Sequence, residues 1–289
     1  MTFTALLACA LLAAAQQPAP AAGSPASTDV TRVVAAASRW TARFEAGLSG
    51  LLFRERYLQT TNGSSSAIQA MTTPGGRRDQ LLLEANLFLL RAGATGELVL
   101  FRDVYKAQGR DVTDHTERLQ KLLTAGTAAS ISQARRLSEA SARYNVGNVN
   151  RTVNIPTMAF RYLEAPRIGG VRFSHAGRDT VDGLPTVMID FEEVGTPTLV
   201  RGSAYRDVPG RGRYWIHADS GAVVRALVEF DAYDLSGRME ITLMLHPQLA
   251  AWVPKEMTEV WRALGQRTTG LAQYDRYQRL DVSTTEAIK

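Results

Sequence analysis

Three histidines (His175, His217 and His246) and two acidic pairs (Glu192 with Glu193, Glu256 with Glu259) come nearest to a chemical constellation in this chain. His217-Ala218-Asp219 sets two metal-capable groups close together. A zinc-type centre needs three or four converging ligands, and no others stand at a recognisable spacing. Paired carboxylates do acid and base catalysis when both reach one substrate. Neighbouring strand residues point to opposite faces, and so do residues three apart, so neither pair converges and both are expected to face water. Gly-x-Ser-x-Gly, His-Glu-x-x-His and phosphate-loop patterns do not occur. The expectation is a protein that is not an enzyme and holds no metal and no cofactor.

The elements that carry these residues are more legible than their chemistry. Residues 211–217, 222–231 and 238–246, joined by Asp219-Ser220-Gly221 and Asp234-Leu235-Ser236-Gly237, read as an antiparallel meander. Its third strand sorts by parity, with Met239, Ile241, Leu243 and Leu245 on one face and Arg238, Glu240 and Thr242 on the other, so one face is expected to be buried. Residues 81–90 and 97–105, flanking Gly93-Ala94-Thr95-Gly96, are largely apolar at both parities. An antiparallel strand of that kind needs cover on both faces.

Asp29 caps a predicted helix to about Ala46, with Val33, Val34, Ala37, Trp40, Ala42 and Phe44 as its apolar stripe. Leu51–Thr60 reads as strand, and 61–76 as a long polar loop. Helices follow from Thr113 and from about Ala129, and a short one from Asn154 and Pro156 to about Leu163, ended by Ala165-Pro166. Strands are expected at 171–176, 185–193, 197–203, the meander, 252–262 and 270–282. The order lacks βαβ alternation, which argues against a Rossmann or barrel enzyme. It predicts an α+β, mostly β fold with one large antiparallel sheet and helices segregated to one side.

The N-terminus gives an address. The first 28 residues carry no charged side chain, and Phe3–Ala15 is an apolar run ending in Ala13-Ala14-Ala15. This is the pattern of a secretory signal over 1–15, too short for a bilayer-spanning helix, which needs about 20 residues. Residues 16–28 read as a flexible Pro/Ala leader, and 29–289 as a single domain. Leu6-Leu7-Ala8-Cys9 also loosely resembles a lipobox, which would anchor the chain through lipid on Cys9. If Cys9 leaves with the signal, no cysteine remains for disulfides or thiolate chemistry.

The net charge is +5, with 33 basic residues of which only Lys106, Lys121, Lys255 and Lys289 are lysines. The arginines stand singly or in pairs without interleaved aromatics, so nucleic-acid binding is not expected; peripheral contact with anionic membranes needs only net charge.

Tyr214-Trp215-Ile216-His217-Ala218-Asp219-Ser220-Gly221-Ala222-Val223-Val224-Arg225, with the meander, Trp252-Val253-Pro254-Lys255-Glu256-Met257 and the closing strand through Tyr274 to Val282, carries a resemblance. It resembles the C-terminal half of outer-membrane lipoprotein-sorting proteins, periplasmic carriers of the lipoprotein carrier family. The likeness covers about residues 208–282; the N-terminal half departs from the family pattern. It implies an open antiparallel half-barrel whose concave apolar face is covered by helices and holds acyl chains. It also implies a periplasmic or secreted protein that binds lipid or lipoprotein acyl chains. The alternative on the same scaffold is a sensor or interaction module whose partner is an envelope protein, without transported cargo.

Trp215, Trp252 and Trp261 with Met239, Met244 and Met257 are spread over successive strands, either as an adaptable apolar lining or as plain core. The expected ligand-lining residues are Leu87, Leu89, Phe101, Trp215, Met239 and Leu243.

Overall fold

The computed structural model describes residues 30–62, 80–92, 97–112, 144–146, 154–202, 206–232, 235–263 and 265–279, apart from the side chains of 89–92 and 97–99. The predicted signal and leader, the helices from Thr113 and Ala129, the loop beyond Asn62 and the turn 93–96 lie outside the described residues.

Helix α1 spans Val30–Leu48 and buries Val34, Ala37, Trp40, Thr41, Phe44 and Leu48, a spacing that keeps one stripe inward. Ala42, placed in the stripe from sequence, is exposed, because two residues from Trp40 the helix has turned away from the sheet. Trp40 stacks on Phe44 at 4.9 Å between ring centroids, and Phe160 closes edge-on against Phe44 at 5.2 Å. Gly50, at φ 81°, turns the chain from the helix into the first strand, a conformation that disfavours any side chain.

Eleven antiparallel strands form one sheet. They are β1 (Leu51–Asn62), β2 (Gln80–Ala92), β3 (Glu97–Ala107), β4 (Arg110–Asp111), β5 (Val171–Val181), β6 (Leu184–Glu193), β9 (Gly210–His217), β10 (Val223–Ala232), β11 (Leu235–His246), β12 (Ala251–Ala263) and β13 (Gln266–Arg279). The short β7 (Val200–Arg201) and β8 (Asp207–Val208) pair separately, so the strand expected at 197–203 shrinks to two residues. The sheet order is β4-β3-β2-β1-β13-β12-β11-β10-β9-β6-β5. The chain starts near the centre, runs out to β4, crosses to the far edge at β5, and returns through the meander until β13 pairs with β1. Its ends do not pair, so the sheet is open, as the sequence predicted.

A 3-10 helix, Met158–Leu163, leads directly into α2, Ala165–Ile168. Pro166, expected to end a helix, opens one instead, since proline fits the first turn, where no backbone N–H is needed. Helix α1 packs against β5, β10, β12 and the 3-10 helix. The sheet face beneath it, here the inner face, carries the main core: Ile189, Tyr214, Val228, Ile241, Leu243, Met257, Ala272 and Phe53 among others. Met239, Ile241 and Leu243 are buried as predicted, but Leu245 is 57% exposed; beyond the register shift between Thr242 and Leu243 it is Met244 that packs against the core. Burial is two-sided at β2 and β3, as the doubly apolar pattern requires. Leu83, Ala85 and Leu87 join the main core, while Phe88 and Phe101, paired across the outer face at 5.6 Å, are also buried.

Candidate ligand-binding site

The inner face of the central strand β1 is built from Leu51, Phe53, Glu55, Tyr57, Gln59 and Thr61, every second residue, all buried. It begins apolar and turns polar halfway. Glu55 meets Arg102 of β3 in a two-point ion pair, Nε to Oε2 at 2.7 Å and Nη2 to Oε1 at 2.9 Å. Arg102 also donates through Nη2 to the Asn154 carbonyl at 2.8 Å, and its guanidinium lies 5.4 Å from the Tyr57 ring centroid. Asn154 Nδ2 donates to the Tyr57 hydroxyl at 3.3 Å, and that hydroxyl donates to Glu259 of β12. Gln59 holds the chain at 144–146 from both sides, donating to the Tyr144 carbonyl at 2.9 Å and accepting from the Val146 N–H at 3.2 Å.

Taking these charges out of water costs several kcal/mol per ion before any pairing is counted. Glu55 is 0%, Glu259 2% and Arg102 7% exposed. Burial pushes the Glu55 carboxyl above its usual range, although Arg102 pulls it down. Burial likewise works against the Arg102 charge, but Glu55 outweighs it and the guanidinium is held more firmly protonated than usual. The fold makes room for the node: a Cβ at Gly270 of β13 would stand 2.6 Å from Glu259 Cγ and 2.8 Å from Tyr57 Cε2. Only a residue without a side chain fits opposite the Tyr57–Glu259 contact.

The six residues expected to line a ligand site do not share one surface. Leu87, Met239 and Leu243 are buried on the inner face, on β2 and β11. Phe101 is buried on the outer face of β3. Trp215 also faces outward, packed with Val181 and Val224, its Nε1 donating to Asp179 Oδ2 at 3.0 Å. Leu89 lies in β2, but its side chain is outside the described residues.

Residues the sequence reading passed over or placed in water form the polar node. Glu259 was expected to be wet beside Glu256, yet its parity neighbours Met257 and Trp261 are core residues, and that alternation was the available signal. Glu55 shares parity with Phe53 and Tyr57 in the same way, as Arg102 does with Leu100 and Val104. Glu193 is also buried rather than wet, accepting from the backbone N–H groups of Leu199 at 2.7 Å and Gly210 at 3.0 Å.

The histidines stay apart. His217 Nδ1 lies 2.8 Å from Ser220 Oγ, and His246 Nδ1 accepts from the Leu249 N–H at 3.3 Å. Among the described residues no three His, Cys, Asp or Glu side chains cluster as metal ligands would.

The outer face of β5, β6 and β9–β11 holds an open groove of about 610 Å³ lined by Arg172, Asp190, Arg211, Arg213, Trp215 and Glu229, among others. Its charges are paired across strands: Arg213 with Asp190 at 2.6 Å, Arg172 with Glu192 at 2.9 Å, Arg238 with Glu229 at 2.9 Å.

An open antiparallel sheet with helices on one face and a buried polar node in its centre defines the class of this protein. Among solved structures it is similar to a DUF1329 family protein from Desulfovibrio piger (11% identity, 88% of this chain and 95% of that one, TM-score 0.35). It is also similar to a putative outer membrane lipoprotein-sorting protein domain from Vibrio parahaemolyticus (10%, 90% and 95%, TM-score 0.35). A third is the Mycobacterium tuberculosis lipoprotein LppX (12%, 85% and 95%, TM-score 0.29). No family model matches the chain. No curated protein matches its sequence. At these identities and scores the likeness bears on no ligand and no residue. Among the described residues, no helix is long and apolar enough to cross a membrane.

Proposed function

We propose that this is an exported envelope protein of the periplasm or cell exterior, which holds an apolar ligand, a lipid or the acyl chains of a lipoprotein, against the inner face of its sheet. The observation that carries the reading is the extent of that face. Apolar side chains run from Ile189 of β6 through Tyr214, Val228, Ile241, Met257 and Phe53 to Leu83 of β2 and Leu100 of β3. The described helices pack chiefly over β5, β10 and β12, so the β1–β3 half has its apolar surface away from α1. On β11 and β9 the space over two glycines is filled by neighbouring rings: a Cβ at Gly237 would meet Trp261 and one at Gly210 would meet Tyr162. The ligand is assigned to the β1–β3 half, around Leu81, Leu83 and Leu87, buried side chains that it would reach by displacing what covers them. One acyl chain buried there gains about 0.8 kcal/mol per methylene before ordering costs.

The test is binding of a fluorescent fatty-acid analogue to delipidated protein, with mass spectrometry of apolar material retained after gentle purification. Saturable binding, displaced by natural lipid and lost in folded Leu83→Glu or Leu87→Glu variants, supports the reading. No binding at saturating probe, or binding unchanged in every folded variant, overturns it. The same fold used as an interaction module is favoured by one observation, the open outer groove beside the sheet edge.

A further inference from the structure

We propose that β5 is the docking edge for an extended segment of a partner protein bearing acidic residues. The two ends of the sheet are unlike. One is β4, two residues long. The other is β5, eleven residues long, hydrogen-bonded among the described residues to β6 alone and exposed at most of its positions. A long edge strand presents a row of backbone N–H and C=O groups to solvent. Extended peptides add to such edges through those groups and take specificity from alternate side chains.

The cross-strand register supplies the specificity. Arg172 stands opposite Glu192, Glu192 opposite Arg211, Arg211 opposite Glu229, and Glu229 opposite Arg238. Charge therefore alternates across five strands of the outer face and stops at the edge on a cation. The Arg172 side chain, 68% exposed, bonds Glu192 on its inward side at 2.9 Å. A strand added to β5 would place its own residue opposite Arg172, and a carboxylate there continues the alternation. Opposite-charge cross-strand pairs stabilise pairing where like charges oppose it.

The rest of the strand agrees in sign. Arg178 is exposed, while the acid Asp179 is already engaged by the Thr180 N–H at 2.7 Å and the Trp215 indole at 3.0 Å. A second copy of this chain fits poorly, since Val171–His175 offers no acidic residue to stand opposite Arg172. The bulge between His175 and Gly177, with Gly177 at φ 115°, interrupts the register. The docking stretch is therefore Val171–His175. Beside it lies the groove lined by Arg172, Ser174, Asp190 and Trp215, which receives the partner's outward side chains.

The test uses the full chain, labelled for amide NMR, titrated with a capped peptide of alternating Val and Glu, about nine residues long to match a typical strand. The expected result is saturable shifts confined to Val171–His175 and the adjoining groove. The same peptide with Lys for Glu should bind at least about tenfold more weakly, and Arg172→Gln, which sets no like charge against Glu192, should weaken the Glu peptide about fivefold or more with little change in melting temperature. A Glu peptide N-methylated at alternate residues should not bind. The proposal is overturned if the Glu peptide fails to bind at millimolar concentration, if its shifts map elsewhere, if Lys and Glu peptides bind alike, or if N-methylation has no effect.

Discussion

The two halves of the inner face are buried to the same degree by opposite means. On the β9–β12 side, Tyr214, Ile216, Val228, Ile241 and Leu243 share one apolar core with Val34, Ala37, Trp40 and Phe44 of α1, and stability there is the sum of many small apolar burials. Over β1, β3 and the middle of β12, burial includes Glu55, Arg102 and Glu259, whose cost is offset only while every partner stays in place. The first half tolerates repacking and the second does not. Equal burial therefore does not mean equal sensitivity to change.

The largest effect should come from breaking the ion pair on one side. Arg102→Met leaves the Glu55 carboxyl alone in the interior, where it must either stay charged without a partner or take up a proton, and should cost about 3–5 kcal/mol. Replacing both, as Glu55→Leu with Arg102→Met, should recover most of that loss. Denaturant unfolding of the two singles and the double measures the coupling; additive losses would show that the pair acts as two independent residues.

Next in size, Leu243→Asp buries an unpaired charge in the apolar half and should cost about 3 kcal/mol. Leu245→Asp on the same strand and parity should cost less than about 1, because that side chain is mostly in water. Similar melting temperatures for the two would contradict the burial of Leu243 and the exposure of Leu245.

A smaller effect concerns pH. Arg54 bonds Asp275 at 2.7 and 2.5 Å and holds its carboxyl below the usual range, and Lys255 does the same for Asp182. Both contribute stability that is present above the unfolded carboxylate value of about 4 and is lost as pH falls through their folded values. Glu55 acts in the opposite sense: burial raises it, so its contribution is present at low pH and fades as pH rises through its folded value. Stability should therefore fall below about pH 4, and Asp275→Asn should flatten that fall while lowering stability at neutral pH, where the pair contributes, by less than about 1 kcal/mol. Thermal unfolding across the acid range reads the difference. The smallest effect belongs to the exposed outer ladder, where Arg172→Ala should change stability by less than about 1 kcal/mol.

Strand positions were legible because parity and turn chemistry are local. The meander falls at Gly210–His217, Val223–Ala232 and Leu235–His246, within a few residues of its sequence reading. The polar node was not legible, because Glu55, Arg102, Asn154 and Glu259 come from four distant parts of the chain and each alone looks like a wet residue. Glu256 and Glu259 do not converge, yet only Glu256 is left near water: Glu259 shares parity with the core residues Met257 and Trp261 and turns inward. Phe101 and Leu87 were grouped as one lining because both strands are apolar at both parities, which leaves the facing undetermined until register is known.

The pairing of β1 with β13 sets Leu51 opposite Arg279 and Asn62 opposite Arg267, joining the first described strand to the last. Until the last strand is available, β1 lacks one neighbour and β12 stands as a second open edge, so the two meanders exist as separate sheets with sticky sides. Pairing across so much sequence is slow because loop closure precedes its reward, and unpaired edges invite association. Chains truncated before residue 266 should therefore aggregate rather than fold to a smaller stable core.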